Sequence, residues 1–189
     1  MFQFVHKDVP IFLEVKDKSS EEAAHKAIAL IRKYGRYHST AIGSDSSKFT
    51  QKMLKYDPHI CTLFGTADIK RLILGFFTGL LPYFAFDRDV AAMPYMTRDY
   101  LQMKKAERAK AQKSKWLFLT VYIYLMQVCN MCFNPVLKHL QRRGIFTCYW
   151  VLNQEGEFLH VARTSCVQAI MTDRPTKIKQ LLELKSKLD

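Results

Sequence analysis

An α/β fold on parallel strands is what this 189-residue sequence predicts, and three observations predict it. Short apolar runs alternate with amphipathic helical stretches over the first 64 residues. The same alternation returns after residue 134. The spacing of strand, amphipathic helix and strand is that of right-handed βαβ units, which pair their strands in parallel.

The elements follow in order. "IFLEV" (11–15) is a run suited to a strand buried on both faces. Ser19 and Glu22 stand at capping-box spacing, Ala24, Ala27, Ile28 and Ile31 follow at helical intervals, and Gly35 stops the helix. "STAIG" (39–43) reads as the second strand. "SSKFTQKMLKY" places Phe49, Met53 and Tyr56 on one helical stripe closed by Pro58, and "ICTLF" (60–64) is the third strand. Near the other end, "NPVLKHLQRRG" is a helix with a glycine stop, and "IFTCYWV" (145–151) is a strand. A helix over 154–164, a strand in "VQAIMTD" (167–173) and a closing helix with Pro175 in its first turn and Ile178, Leu181 and Leu182 facing inward complete the pattern.

The middle breaks it. Residues 72–86, "LILGFFTGLLPYFAF", are uncharged, as are residues 116–137, "WLFLTVYIYLMQVCNMCFNPVL". Between them "KKAERAKAQKSK" (104–115) holds six basic residues against one acid. The longer run has the length of a bilayer span, but Gln127, Asn130, Asn134 and Pro135 interrupt its second half. Both an interfacial helix and a span therefore stand open. The shorter run, with Gly79 and Pro82, reads as an interfacial or re-entrant hairpin, or as a buried crossover. Basic residues beside apolar runs are what anionic lipid surfaces attract.

The net charge of +12 predicts attraction to an anionic partner: lipid headgroups, a phosphate-bearing substrate or nucleic acid. No recognition motif for nucleic acid accompanies it, so no nucleic-acid partner is expected. Of the five cysteines, Cys61, Cys148 and Cys166 lie in or beside strand-like runs and are expected to be buried thiols. Cys129 and Cys132 form a CxxC within an uncharged run without a second ligand pair, and read as thiols of an apolar helix in a reducing compartment. "MFQFVHKDVPIFLEVK" has neither the basic start nor the apolar core of a signal peptide.

Chemistry is expected at the carboxyl ends of the strands, where βα loops converge in parallel barrels. Glu14 and Lys16, two residues apart, share one side of the first strand's exit. A carboxylate that can hold a hard cation beside an ammonium that can meet a phosphate oxygen suits phosphodiester chemistry. A solvated ion pair is the alternative reading. Trp150 is either the wall of a substrate pocket or core, and Asp173 stands where a helix takes an N-terminal acid.

"FLEVKDKS", "YWVLNQEGEF" and "AIMTDRPTKIKQLLE", in this order and spacing, resemble the later motifs of the glycerophosphodiester phosphodiesterase family. "RLILGFFTGLLPYFAF" resembles its membrane-associated animal subgroup, which acts as lysophospholipase D. The resemblance runs from about residue 9 to 185. It implies a TIM (β/α)8 barrel, a divalent cation (Mg or Ca) that helps activate a phosphodiester, and two histidines as acid and base. Glu14 would correspond to a metal-binding glutamate, Lys16 to a basic residue near the phosphate, and Trp150 to an aromatic wall of the substrate pocket. The family's His-Arg-Gly strand, its Glu-x-Asp ligand pair and its second histidine do not occur here, and none of His6, His25, His38, His59, His139 and His160 matches them. No catalytic residue is therefore assigned.

The resulting expectation is the C-terminal part of such a barrel over 1–189, with strands at about 11–16, 39–43, 60–64, 145–151 and 167–172. A hydrophobic, basic insertion occupies 70–137 and associates with membranes. By this reading the chain is truncated at its N-terminus and inactive alone. Its partners are membrane lipids and a lysophospholipid or glycerophosphodiester substrate, and its place is the endoplasmic reticulum or another cytoplasmic-face membrane. The alternative is a non-catalytic membrane-surface protein that modulates a full-length relative.

Overall fold

The computed structural model describes residues 2–16 and 21–185. Two compact units make up the chain: residues 1–92 with 144–146, and residues 93–143 with 147–189.

In the first unit, β1 (Ile11–Glu14), β2 (Thr40–Gly43) and β3 (Cys61–Thr62) form a parallel sheet in the order β1-β2-β3. Ile11 lies opposite Thr40, Glu14 opposite Gly43, and Ala41 opposite Cys61. Leu63 extends the pairing in a parallel bridge to Val90, the first residue of β4 (Val90–Pro94). Helices α1 (Glu22–Lys33), α2 (Ser47–Tyr56) and α3 (Thr66–Phe77) connect these strands. All four residues of β2 are buried, as a central parallel strand requires.

The helical stripes meet this sheet in one core. Ala24, Ile28 and Ile31 of α1 and Phe49 and Met53 of α2 pack with Ile42 and Ile60. Tyr56 departs from the expected stripe: it is 51% exposed and its ring stacks on His25 at 3.8 Å. It is the last residue of α2, a turn beyond Met53. Gly35 ends α1 with φ +60°, and the Gly35 and Arg36 N–H groups donate to the carbonyls of Arg32 and Ile31. That double bond is a Schellman motif and satisfies carbonyls the helix end leaves open. Ser19 of the expected capping box lies outside the described residues, whereas α2 is capped by Ser46, whose Oγ accepts from the Phe49 N–H.

The second unit holds α4 (Arg98–Ala109), α5 (Lys113–Cys132), α6 (Asn134–Arg142), α7 (Glu155–Thr164) and α8 (Pro175–Lys185). β5 (Phe146–Trp150) pairs in parallel with β6 (Ala169–Ile170), in a sheet of order β4-β5-β6. Five strands are expected from the sequence, and β4 is a sixth among the described residues. Its "VAAMP" combines two alanines with a proline, a composition of low strand propensity, so only its pairing reveals it. The third strand is shorter than its apolar run, two residues against five, and the last is likewise reduced to Ala169–Ile170. In α8, Ile178 is buried as expected, but Leu182 is 47% exposed. Cys148 is fully buried, while Cys61 and Cys166 are only partly so.

The long apolar run folds as α5 followed by α6, bent by 69°. Among the described residues no single helix is long and apolar enough to cross a membrane, and this pair reaches that length only across its bend. Pro135 sits in the first turn of α6, where its missing N–H loses no helical bond. The shorter run becomes the end of α3, a Gly79 with φ +72° and a 3-10 turn at Leu81–Tyr83.

One buried carboxylate ties the ends of α1, α2 and β3. Asp57, 1% exposed, accepts from the Arg32 guanidinium at 2.8 Å, the Tyr37 hydroxyl at 2.7 Å and the His59 N–H at 3.1 Å. Burial alone would raise its pKa, but these three donors outweigh it and hold the carboxyl at about 2. A folded value below the ordinary 3.8 stabilises the protein above that pH, and the contribution is lost as pH falls through 3.8 toward 2. Urea midpoints measured across that window should therefore drop steeply for the natural chain. Asp57→Asn should lower the midpoint at neutral pH and flatten the acid dependence.

Candidate functional site

The parallel pairing of β1, β2 and β3 sends their carboxyl ends to one edge of the first unit's sheet. At the exit of β1 the ladder continues one residue further, the Val15 N–H donating to the Gly43 carbonyl at 2.8 Å. That bond keeps the chain extended past Glu14, so Glu14 and Lys16 emerge on the same side. Their Oε2 and Nζ atoms meet at 2.6 Å. Both side chains are open to water, at 46% and 80% exposure, so the pair contributes about 0–1 kcal/mol. A partner change at Lys16 is correspondingly cheap.

Gly43 makes this edge possible. A Cβ there would come within 2.6 Å of the Leu63 Cβ, because the chain leaving β3 crosses directly against it. The edge beside Glu14 is thus built on a backbone approach that no larger residue permits.

These residues do not complete a divalent-cation site. Among the described residues no three His, Cys, Asp or Glu side chains converge on one point. Hard cations take about six to eight oxygen ligands, and Glu14 offers one carboxylate already engaged by Lys16. The donor set on these residues does not fit Mg or Ca.

The second unit carries its own strand-end constellation. Trp150 closes β5, is partly exposed, and meets the Tyr100 ring edge-on at 6.3 Å. Its carbonyl accepts from the Tyr95 N–H at the exit of β4. Nearby lies a cavity of about 860 Å³ whose lining includes Tyr95, Arg98, Gln154, Glu157, His160 and Lys177. Trp150 is not among its lining residues. The Arg98 N–H donates to Glu157 at 2.7 Å, Gln154 Nε2 to Asp99 at 3.0 Å, and Lys177 pairs with Glu155 at 2.9 Å. Burial and the neighbouring Glu157 push the Tyr95 phenol up. Gln154 and Glu157 fall within "YWVLNQEGEF" and Lys177 within "AIMTDRPTKIKQLLE", whereas Tyr95 and Arg98 carry no sequence signal beyond the neighbouring Thr97, whose Oγ caps α4 through the Tyr100 N–H.

Two polar residues of the apolar run also gain a role. Asn130 accepts from the Met96 N–H and donates to the Met96 carbonyl, both at 3.1 Å, pinning the exit of β4 to α5. Asn134 likewise bridges the Thr164 carbonyl and the Cys166 N–H. The CxxC thiols are free, and burial pushes Cys129 up to about 12, so it is no nucleophile at neutral pH.

Asp173 is explained by Asn153. Asn153 Oδ1 accepts from the Thr172 hydroxyl at 3.1 Å and the Asp173 N–H at 2.9 Å, while its Nδ2 donates to Asp173 Oδ2 at 2.9 Å. The Trp-x-x-Asn and Thr-Asp-x-Pro stretches thus interlock, fixing the loops after β5 and β6 to each other. Asn153→Ala should lower stability by about 1–3 kcal/mol in urea unfolding. Asn153→Asp keeps the acceptor but faces a second carboxylate, so its defect at pH 7 should shrink below about pH 4.

No family model matches the chain. Curated proteins do. Lysophospholipase D GDPD1 of Rattus norvegicus is 31% identical over 176 residues, 93% of this chain and 52% of that protein. Lysophospholipase D GDPD3 of Mus musculus is 25% identical over 179 residues, 92% of this chain and 50% of that protein. The chain therefore spans about half the length of the curated relatives it matches. Among solved structures, a glycerophosphodiester phosphodiesterase from Parabacteroides distasonis aligns with a TM-score of 0.51 at 12% identity, over 93% of this chain and 58% of that one. That likeness concerns the fold, and the fold is α/β, part of a TIM barrel. Matched along nearly its whole length, the chain belongs to the glycerophosphodiester phosphodiesterase family.

Proposed function

We propose that this chain serves the hydrolysis of a phosphoric diester, in a lysophospholipid or a glycerophosphodiester. The observation that carries the reading is the match to lysophospholipase D enzymes over 93% of the chain. The strand-end geometry supports it. Lys16 Nζ, held in water by a weak pair with Glu14, can exchange that carboxylate for a phosphate oxygen at little cost. In the second unit, Trp150 and Tyr100 present edge-to-face rings of the kind on which an apolar or polyol group packs. Glu14 by itself offers too few ligands to hold the Mg or Ca that the family resemblance implies, so no step is assigned to a cation and Lys16 carries phosphate recognition.

One observation favours a second reading, a non-catalytic role beside a full-length relative. No three metal-ligating side chains converge among the described residues. The two readings separate in one pair of assays: binding of glycerophosphocholine, and choline release from lysophosphatidylcholine with Mg or Ca present. Lys16→Ala should weaken binding about five- to tenfold, and Lys16→Arg should retain it. If choline is released, Lys16→Ala should lower that release about as much as it lowers binding. Binding without release identifies the second reading. Release and binding indifferent to Lys16→Ala would refute the site.

A further inference from the structure

Helix α5 is apolar on two opposite sides. Leu119, Ile123, Met126 and Cys129 are buried. Leu117, Val121, Tyr124, Val128 and Met131 point away from them and are each at least 45% exposed. Their spacing of four, three, four and three residues draws one straight stripe, about 21 Å long at the helical rise. A helix of this kind is ordinarily covered on both sides.

Charge selects what covers it. The stripe runs back, at the same spacing, to Lys113, and Lys105, Lys110 and Lys115 are also exposed around the start of the helix. Residues 113–132 contain no acid, and 104–115 contain six basic residues against Glu107. A second copy of the chain, itself at +12, would bring like charges together along this face. An anionic lipid surface meets both features: acyl chains for the stripe, headgroups for the lysines. Trp116, 46% exposed with the Arg108 guanidinium 5.8 Å over its ring, stands at the basic end, where an indole suits the headgroup level.

We infer that the outer stripe of α5 docks flat on an anionic bilayer, with Trp116 and the lysines of 105–115 at headgroup depth. Spanning is a different arrangement. It would need the buried face of α5 to leave its packing, along with the Asn130 bonds to Met96, and it would need the 69° bend to α6 to straighten. Docking in this way makes the 116–137 run interfacial. It stands apart from phosphodiester hydrolysis, because vesicle binding is read without turnover.

The test is co-sedimentation of the full chain with phosphatidylcholine vesicles, with and without about one-third phosphatidylserine. Binding should require the anionic lipid. Leu117→Ser/Val121→Ser/Val128→Ser should weaken it at least about tenfold, and Lys110→Glu/Lys113→Glu should do the same. Circular dichroism checks that both variants fold. Should the serine variant fail to fold, brominated lipid supplies the second measurement: it should quench Trp116 in a Trp150→Phe chain. Binding untouched by the charge variant, equal binding to neutral vesicles, or an unquenched Trp116 in the bound state would each overturn the inference. So would a lipid-free oligomer that the serine substitutions dissolve, since the stripe would then be a protein interface.

Discussion

Parallel pairing of β1, β2 and β3 is the constraint from which the first unit follows. Parallel neighbours cannot be joined by a tight turn, so each connection must cross back, and α1 and α2 do so. The crossing helices bury Ile28, Ile31, Phe49 and Met53 beside Ile42, and Leu63 and Val90 cover Ala41 on the other side, which is why β2 has no exposed face. The same pairing aligns the strands' carboxyl ends, and the Val15–Gly43 bond carries that alignment to Lys16. Gly43 is the point of closest approach, where the absence of a side chain admits Leu63.

Buried and half-buried polar groups then fix the loops that the strands leave free. Asp57 binds Arg32, Tyr37 and the His59 N–H in the first unit. Asn130, Asn134 and Asn153 each hold backbone or side-chain groups of a distant loop in the second. Arg36, fully buried, donates to the carbonyls of Val5, His6 and Val9 and so anchors the segment before β1. In a low-dielectric interior Asp57 and Arg36 would be costly unless paired, so each specifies a single arrangement of its loop.

The chemistry of the strand ends divides in the same manner. Lys16 stands at the strand exits of the first unit, and Trp150 closes β5 in the second. Glu14 is a single carboxylate, far short of a hard-cation shell, and no three metal-ligating side chains converge among the described residues.

Local sequence determined much of this protein by itself. Apolar runs flanked by helical stripes were enough to place β1, β2, β5, α1, α2 and α7 in an α/β order, because burial on a period of two or 3.6 residues is written in neighbouring side chains. The Glu14–Lys16 pair was legible for the same reason: residues two apart on a strand share a side wherever the strand lies. Tertiary structure alone decided the rest. β4 is a strand only through its neighbours, since Ala-Ala-Met-Pro has little strand preference of its own. Asn153 and Asp173 lie twenty residues apart and Asn130 and Met96 thirty-four, and no local pattern encodes a bond across such separations. The two apolar faces of α5 looked alike in the sequence. Packing buried Leu119 and Ile123 and left Leu117 and Val121 outside, a choice made by what the helix rests against and not by its composition.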